Sequence, residues 1–117
     1  VNRIRDGIGA DWNFALEATD ARFVTLAHQD DVYFPRFLER SLSALNETGA
    51  ALSFTGYQEI DDCGAPRTSR ISGVKHAIEV VFLGRARIVS DIRLRAFLSF
   101  GNPLPCSSVT YDRAALK

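Results

Sequence analysis

The sequence predicts an α/β fold with a mostly parallel sheet. Helix and strand patterns alternate through the first half of the chain, as they do in layered α/β proteins. One strand pattern, "ARFVTLA" at residues 21–27, is almost continuously apolar, which is typical of a parallel strand that is buried on both faces. With 117 residues, 46% of them hydrophobic and 24% charged, the chain has the length and composition of one soluble globular domain.

The first half of the chain predicts two helices and two strands. Asp11 is the expected N-cap of a short helix over "WNFALEAT", residues 12–19. Pro35 fits the first turn of a second helix, whose apolar spacing runs through "RFLERSLSAL" and ends at Gly49. "AALSFTGYQEI", residues 50–60, predicts the second strand, and residues 61–64 predict a turn.

The second half predicts more irregular structure. Residues 65–73 are polar and predict a mobile loop. "KHAIEVVFLG" and "SDIRLRAFLSF" predict two short helices, the second capped by Ser90. "GNPLP" predicts a turn, "CSSVTY" a short strand, and "DRAALK" the start of another helix.

Charge and hydropathy exclude two classes of protein. The 14 basic and 14 acidic residues give no net charge, whereas proteins that bind nucleic acids usually carry a basic excess. No apolar run approaches the roughly 18 residues of a membrane-spanning helix. Cys63 and Cys106 lack zinc-site spacing and are expected to be reduced thiols. These features predict a cytoplasmic protein, with attachment to the inner face of the membrane left open.

Two adjacent carboxylates, Asp30 and Asp31, follow the apolar run and lie close to His28. In open α/β sheets, ligands bind at the carboxyl ends of the strands. Adjacent carboxylates repel one another unless a cation or solvent relieves the repulsion. Two interpretations are open: either one aspartate caps the next helix and the other is solvated, or the pair holds a divalent cation.

The order of these features resembles that of the family 2 glycosyltransferases, enzymes of the GT-A fold. The matching segments begin with "WN", "FVTLA", "HQDD", "VYF", Pro35 and "RFLERSLSAL", and continue with "SFTGYQEIDDCGAP" and "GNPLPCSSVTYDRAAL". The resemblance implies a partial GT-A fold, a Rossmann-like three-layer sandwich with a mostly parallel sheet. Residues 1–117 would then be the central portion of a single catalytic domain that is incomplete at both ends.

The resemblance also implies a cation and donor site. The family pattern Asp-x-Asp-Asp corresponds to "HQDD", so Asp30 is the expected ligand of Mn²⁺ or Mg²⁺, with Asp31 in support. His28 stands where the family has aspartate, and its imidazole would bind either the ribose or the cation. Gln29 and Asn13 complete the expected donor-binding set, although Asn13 is equally compatible with a plain position in the first helix.

The implied reaction is the inverting transfer of a sugar from a nucleoside-diphosphate sugar to a hydroxyl group. The acceptor would be a saccharide or a lipid-linked molecule, facing Asn102, Ser107 and Ser108. The catalytic base is expected beyond Lys117, so the resemblance assigns no catalytic residue within the chain and implies that the 117-residue chain is inactive by itself.

Two other functions are compatible with the same residues. The chain could be a non-catalytic α/β module for binding or self-association, in which the carboxylates serve as helix caps. An exposed sheet edge left by truncation predicts a homo-oligomer in either case. A metal-dependent hydrolase using His28, Asp30 and Asp31 is disfavoured, because no second cluster of histidines or carboxylates follows. The sequence does not identify the donor sugar, its nucleotide or the acceptor.

Overall fold

The computed structural model describes residues 7–84, 88–89, 91–99 and 104–115. They form two compact units. The sheet unit comprises residues 7–55 and 106–115, and the helical unit comprises the described residues between 56 and 105. In chain order the elements are α1 (Ile8–Glu17), β1 (Phe23–Thr25), α2 (Phe37–Thr48), β2 (Leu52–Phe54), β3 (Glu59–Ile60), β4 (Pro66–Arg67), α3 (Arg70–Phe82), α4 (Asp91–Ser99), a 3-10 turn (Cys106–Ser108) and β5 (Val109–Asp112).

The sheet unit contains a three-stranded sheet in the order β1-β5-β2. Both outer strands are antiparallel to β5, with Thr25 opposite Thr110 and Phe54 opposite Val109. Because β1 and β2 each oppose β5, they run in the same direction as one another. Both therefore end at the edge of the sheet where β5 begins.

The predicted GT-A fold, a Rossmann-like sandwich with a mostly parallel sheet, is wrong. Every strand pairing among the described residues is antiparallel, in one sheet of three strands and one of two. The apolar run at residues 21–27 led to the parallel prediction, but β1 is only half-buried. Its neighbour β5 comes from the far end of the sequence and runs the opposite way, and an apolar pattern does not encode the direction of a partner strand.

The core of the sheet unit forms where α2 packs on β2 and β5. Ser41 and Leu45 are four positions apart and share the buried face of α2. Val109 and Thr110 are buried on β5, and the Thr110 hydroxyl hydrogen-bonds that of Thr25 at 2.8 Å. This bond lets a polar residue occupy the central strand without leaving a buried hydroxyl unpaired.

Both helices of the sheet unit start at other residues than predicted, and α1 ends at Glu17 instead of residue 19, whereas the end of α2 agrees with the prediction. α1 begins at Ile8 rather than after Asp11, because the carbonyl of Gly7 accepts the first helical bonds, from Ala10 and Asp11. Pro35 lies in the turn before α2, not in its first turn. Gly49 ends α2 as predicted: its φ of 65° is left-handed, and its N–H donates to the carbonyl of Leu45.

The helical unit begins with a short hairpin, β3 and β4, in which Glu59 pairs with Arg67. The predicted turn at 61–64 is confirmed, since the Asp61 carboxylate accepts the N–H groups of Cys63 and Ala65, each at 2.9 Å. The predicted strand over residues 50–60 is divided, because β2 ends at Phe54 and β3 starts at Glu59.

The prediction of a mobile loop at residues 65–73 is wrong. This stretch forms β4 and the first turn of α3. Ser69 and Ser72 cap the helix reciprocally, because the side chain of each accepts the backbone N–H of the other at 3.0 Å. α3 packs on α4 through the rings of Phe82 and Phe97, whose centroids are 6.5 Å apart.

The end of the chain departs from its prediction in two places. Cys106–Ser108, predicted as the start of the strand, forms a 3-10 turn, and the predicted helix start is replaced by the last residue of β5, Asp112, and a turn at residues 113–115. Ser90, the predicted cap of α4, lies outside the described residues, and so does Asn102. Among the helices that the structure describes, none is both long and apolar enough to cross a membrane.

Candidate functional site

The segment after β1 gathers three side chains that can bind a cation. The possible ligand atoms of His28, Asp30 and Asp31 all lie within 4.8 Å of one another, and all three residues are exposed. The backbone turns here, with the N–H of Asp31 3.4 Å from the carbonyl of His28. This turn brings His28 Nδ1 to 4.0 Å from Asp31 Oδ2. We call His28, Asp30 and Asp31 the carboxylate cluster.

The other predicted donor-binding residues differ in position. Gln29 is exposed within the same turn as the carboxylate cluster. Asn13 is exposed on α1, and no described contact joins it to the cluster. Gln29 is therefore available to a ligand that is bound at the cluster, whereas the described geometry provides no corresponding support for Asn13.

The 3-10 turn at Cys106–Ser108 lies at the same edge of the sheet as the carboxylate cluster. The antiparallel register requires this, because β5 begins where β1 and β2 end. The carbonyl of Ser107 accepts the Tyr33 hydroxyl at 3.0 Å, and the carbonyl of Ser108 accepts the N–H of Thr55 at 3.2 Å. The turn is thus held between the segments that follow the two outer strands.

The predicted acceptor-side residues are brought to this edge only in part. Ser107 is half-buried, and Ser108 is buried, with 6% of its surface exposed. A ligand could reach the side chain of Ser107 more easily than that of Ser108. Asn102, the third predicted acceptor-side residue, lies outside the described residues.

Tyr33 contributes to this site and was not identified from the sequence. Its flanking residues Val32 and Phe34 are 79% and 76% exposed, while the Tyr33 ring turns inward and contacts Phe37 at 4.7 Å between centroids. Burial, with a smaller effect of the Asp31 charge, raises the pKa of the Tyr33 hydroxyl above its usual value. The residue types of "VYF" do not single out Tyr33, because all three side chains are large and apolar or aromatic.

Cys106 lies at the start of the 3-10 turn, and burial together with the charge of Asp31 affects the pKa of its thiol. Its thiol is half-buried and free. Burial and then the negative charge of Asp31 raise the pKa of the Cys106 thiol. The 3-10 turn is therefore close enough to Asp31 to be affected by its charge, and the hydrogen bond from Tyr33 to Ser107 joins it to the segment that follows β1.

The carboxylate cluster has the chemistry of a site for a hard divalent cation. Mg²⁺ and Mn²⁺ prefer oxygen ligands, and Mg²⁺ commonly uses one or two carboxylates together with substrate phosphates. Ligands about 2.1 Å from one octahedral cation lie about 3.0 Å apart when they are adjacent and about 4.2 Å apart when they are opposite. Ligand atoms within 4.8 Å would therefore have to approach one another by up to about 2 Å, which exposed side chains can do by rotation.

Asp112, at the opposite edge of the same sheet, is another residue that was not identified from the sequence. Asp112 is 3% exposed, and the Arg22 guanidinium donates to both of its oxygens, at 2.8 and 3.2 Å. The hydrogen bonds from Arg22 are the main reason that the pKa of Asp112 lies below its usual range. This pair is structural, because its hydrogen bonds link the start of β1 to the end of β5.

Comparison of the chain with protein-family models, with curated proteins and with solved structures found no match. A functional assignment therefore depends on the site itself. Its main features are the carboxylate cluster, its position at the end of β1, and the adjoining 3-10 turn.

Proposed function

We propose that this chain carries the cation and donor-diphosphate site of a glycosyltransferase. The reaction would transfer a sugar from a nucleoside-diphosphate sugar to an acceptor hydroxyl. The observation that supports the proposal best is the convergence of His28, Asp30 and Asp31 within 4.8 Å at the end of β1. The sequence resemblance to family 2 glycosyltransferases contributes the type of reaction and its inverting stereochemistry.

Each residue of the carboxylate cluster has a role in this proposal. Asp30 is the principal cation ligand, and Asp31 is the supporting ligand. His28 supplies a ring nitrogen, either to the cation or as a hydrogen-bonding group for the ribose. A bound Mn²⁺ or Mg²⁺ would offset the negative charge that develops on the leaving diphosphate.

The exposure of the carboxylate cluster suits this role. A catalytic cation has to keep positions open for substrate phosphates, and a fully enclosed cage of protein ligands would not allow this. Two carboxylates give the cluster a local excess of negative charge, and no lysine or arginine ion pair with Asp30 or Asp31 occurs among the described residues. A cation would remove this imbalance, and the diphosphate could then approach.

The 3-10 turn is the proposed acceptor side. It adjoins the carboxylate cluster through the hydrogen bond from Tyr33 to Ser107, so a donor bound at the cluster would have its sugar near this turn. Ser107 is the better candidate for contact with an acceptor, because its side chain is less buried than that of Ser108. The acceptor class, a saccharide or a lipid-linked molecule, comes from the sequence resemblance.

Calorimetric titration of the chain with Mn²⁺, in the presence and absence of a nucleoside diphosphate, tests the proposal. Asp30→Ala is expected to weaken Mn²⁺ binding at least about tenfold, which corresponds to ~1.4 kcal/mol, and to abolish Mn²⁺-dependent binding of the diphosphate. Asp31→Ala should weaken Mn²⁺ binding less. His28→Asp should preserve or tighten it, because a charged oxygen ligand replaces a neutral nitrogen.

Asp62→Ala is the matched control, since Asp62 is an exposed aspartate next to another aspartate in the helical unit. It should bind Mn²⁺ as the wild type does. Equal Mn²⁺ affinity in wild type and Asp30→Ala would refute the cation site. It would favour the alternative in which Asp30 is merely solvated.

A further inference from the structure

The segment that carries the carboxylate cluster is anchored near its end by Tyr33. The chain has no regular secondary structure from residue 26 until α2 begins at Phe37. Tyr33 follows Asp31 by two positions, and its hydroxyl reaches the carbonyl of Ser107, 74 residues away in sequence. Contact with the ring of Phe37 restricts the directions in which the Tyr33 side chain can move.

The partner of this hydrogen bond lies in the middle of the 3-10 turn. The next carbonyl, that of Ser108, is held from the other side by the N–H of Thr55. A displacement of Tyr33 would therefore act on one of two opposed attachments of the turn. Since the acceptor is a backbone carbonyl rather than a side chain, such a displacement would alter the backbone of the turn itself.

We propose that Tyr33 is a positioning residue that couples cation binding at the carboxylate cluster to the order of the 3-10 turn at Cys106–Ser108. Cation binding draws Asp30 and Asp31 together and restrains the backbone that leads to Tyr33. The Tyr33 hydroxyl passes this restraint to the turn. The inference rests on the proposed function, and it deepens it by linking the two sides of the site: a cation on the donor side strengthens the order of the acceptor side.

Thermodynamic linkage gives the coupling two measurable sides. If cation binding strengthens the attachment of the turn, the attachment must strengthen cation binding by the same factor. One neutral hydrogen bond of ordinary net strength can transmit a factor of roughly 2 to 10. A purely structural bond behaves differently, because its loss lowers stability without changing the effect of the cation on the turn.

The test is hydrogen–deuterium exchange of the backbone amides of residues 106–111, with and without saturating Mn²⁺. In the wild type, Mn²⁺ is expected to slow exchange roughly 2- to 10-fold. Tyr33→Phe keeps the ring and removes only the hydroxyl, so it should fold and should lose this protection. Calorimetry on Tyr33→Phe should show Mn²⁺ binding that is weaker by the same factor.

Tyr57→Phe, which removes a tyrosine hydroxyl in the helical unit, is the matched control and should retain full protection. If Mn²⁺ binds in an Asp30-dependent way but protects Tyr33→Phe as strongly as the wild type, the coupling is refuted and the cation site stands. If Mn²⁺ binding does not depend on Asp30, both the cation site and the coupling are refuted.

Discussion

The carboxylates at the two edges of the three-stranded sheet differ in burial and in hydrogen bonding. At the edge where β1 begins, Asp112 is buried and receives two donors from Arg22 and the N–H of Ala114. At the edge where β1 ends, Asp30 and Asp31 are exposed, and the nearest described ionisable side chain is that of His28, whose Nδ1 lies 4.0 Å from Asp31 Oδ2.

The difference separates a carboxylate used for folding from carboxylates available for binding. Asp112 is satisfied within the chain, and removing Arg22 would leave its Oδ2 without the donors that now contact it, while Oδ1 would keep the N–H of Ala114. Asp30 and Asp31 gain nothing comparable from the fold, because adjacent negative charges repel. Their arrangement becomes favourable once a positive ligand is present, so the exposed edge is the one to examine for function.

The largest effect on stability is expected at the edge that carries the Arg22–Asp112 pair. Asp112→Asn should lower the thermal midpoint of unfolding substantially, because an amide presents one oxygen instead of two and turns an NH₂ group toward the Arg22 guanidinium. Asp20→Asn changes an exposed aspartate and should leave the midpoint unchanged. Circular dichroism melts at neutral pH measure both. Equal midpoints for the two variants would contradict a structural role for the pair.

The second effect is the pH dependence of stability. Because the folded pKa of Asp112 is lowered while an unfolded aspartate titrates near 3.9, its stabilising contribution is complete above about pH 5. The contribution is lost as the pH falls through the lowered folded pKa. Urea unfolding midpoints from pH 7 to pH 3 should therefore fall less steeply in Asp112→Asn than in the wild type. Parallel curves would show that the pair does not contribute to acid unfolding.

The smallest effect on stability is expected at the edge that carries the exposed carboxylates. Here the substitution should stabilise the protein instead of destabilising it. Without a divalent cation, Asp30→Asn should raise stability by about 0.2–0.5 kcal/mol, the size of an exposed like-charge interaction. About 0.5 M salt should remove this gain by screening, and Mn²⁺ should stabilise the wild type more than the variant. Chemical denaturation of both proteins without a divalent cation, in about 0.5 M salt and with Mn²⁺ measures these differences in stability. A loss of stability in Asp30→Asn would mean that Asp30, like Asp112, supports the fold.

The sequence predicted local features better than the arrangement of the sheet. The α2 helix and its left-handed stop at Gly49 follow from apolar spacing and glycine chemistry, both of which lie within a few residues. The Asp61 turn is equally local. The pairing of β1 with β5 joins residues 23–25 to residues 110–112, and nothing in either segment specifies that partner or its direction.

The burial of polar residues in the central strand was the second feature that was not predicted. Thr110 lies in a strand as predicted, whereas Asp112 was predicted to start a helix, and both residues are buried in β5. Each is accommodated by a partner distant in sequence, Thr25 and Arg22 respectively. The Ser69–Ser72 cap was missed because the second position of a capping box is usually glutamate or glutamine.

The position of the carboxylate cluster was predicted better than its surroundings. "HQDD" at the end of an apolar strand was sufficient to select His28, Asp30 and Asp31, and the structure brings these three residues together. Tyr33 was missed because its role depends on a carbonyl 74 positions away. A pattern of residue types identifies side chains that can do chemistry, but it does not reveal which backbone atoms they will meet.

The hydrogen bond between Thr55 and Ser108 makes the sheet tolerant of changes in the segment that lies between these two residues in sequence. Residues 56–105 leave the sheet after Thr55 and rejoin it at Cys106, and the 3.2 Å bond from Thr55 to Ser108 holds the two junctions side by side. Segments of very different length can close such a gap, since each doubling of a flexible loop costs only about 0.6 kcal/mol. A change in the length of the segment between Thr55 and Cys106 is therefore expected to leave the strand register unchanged.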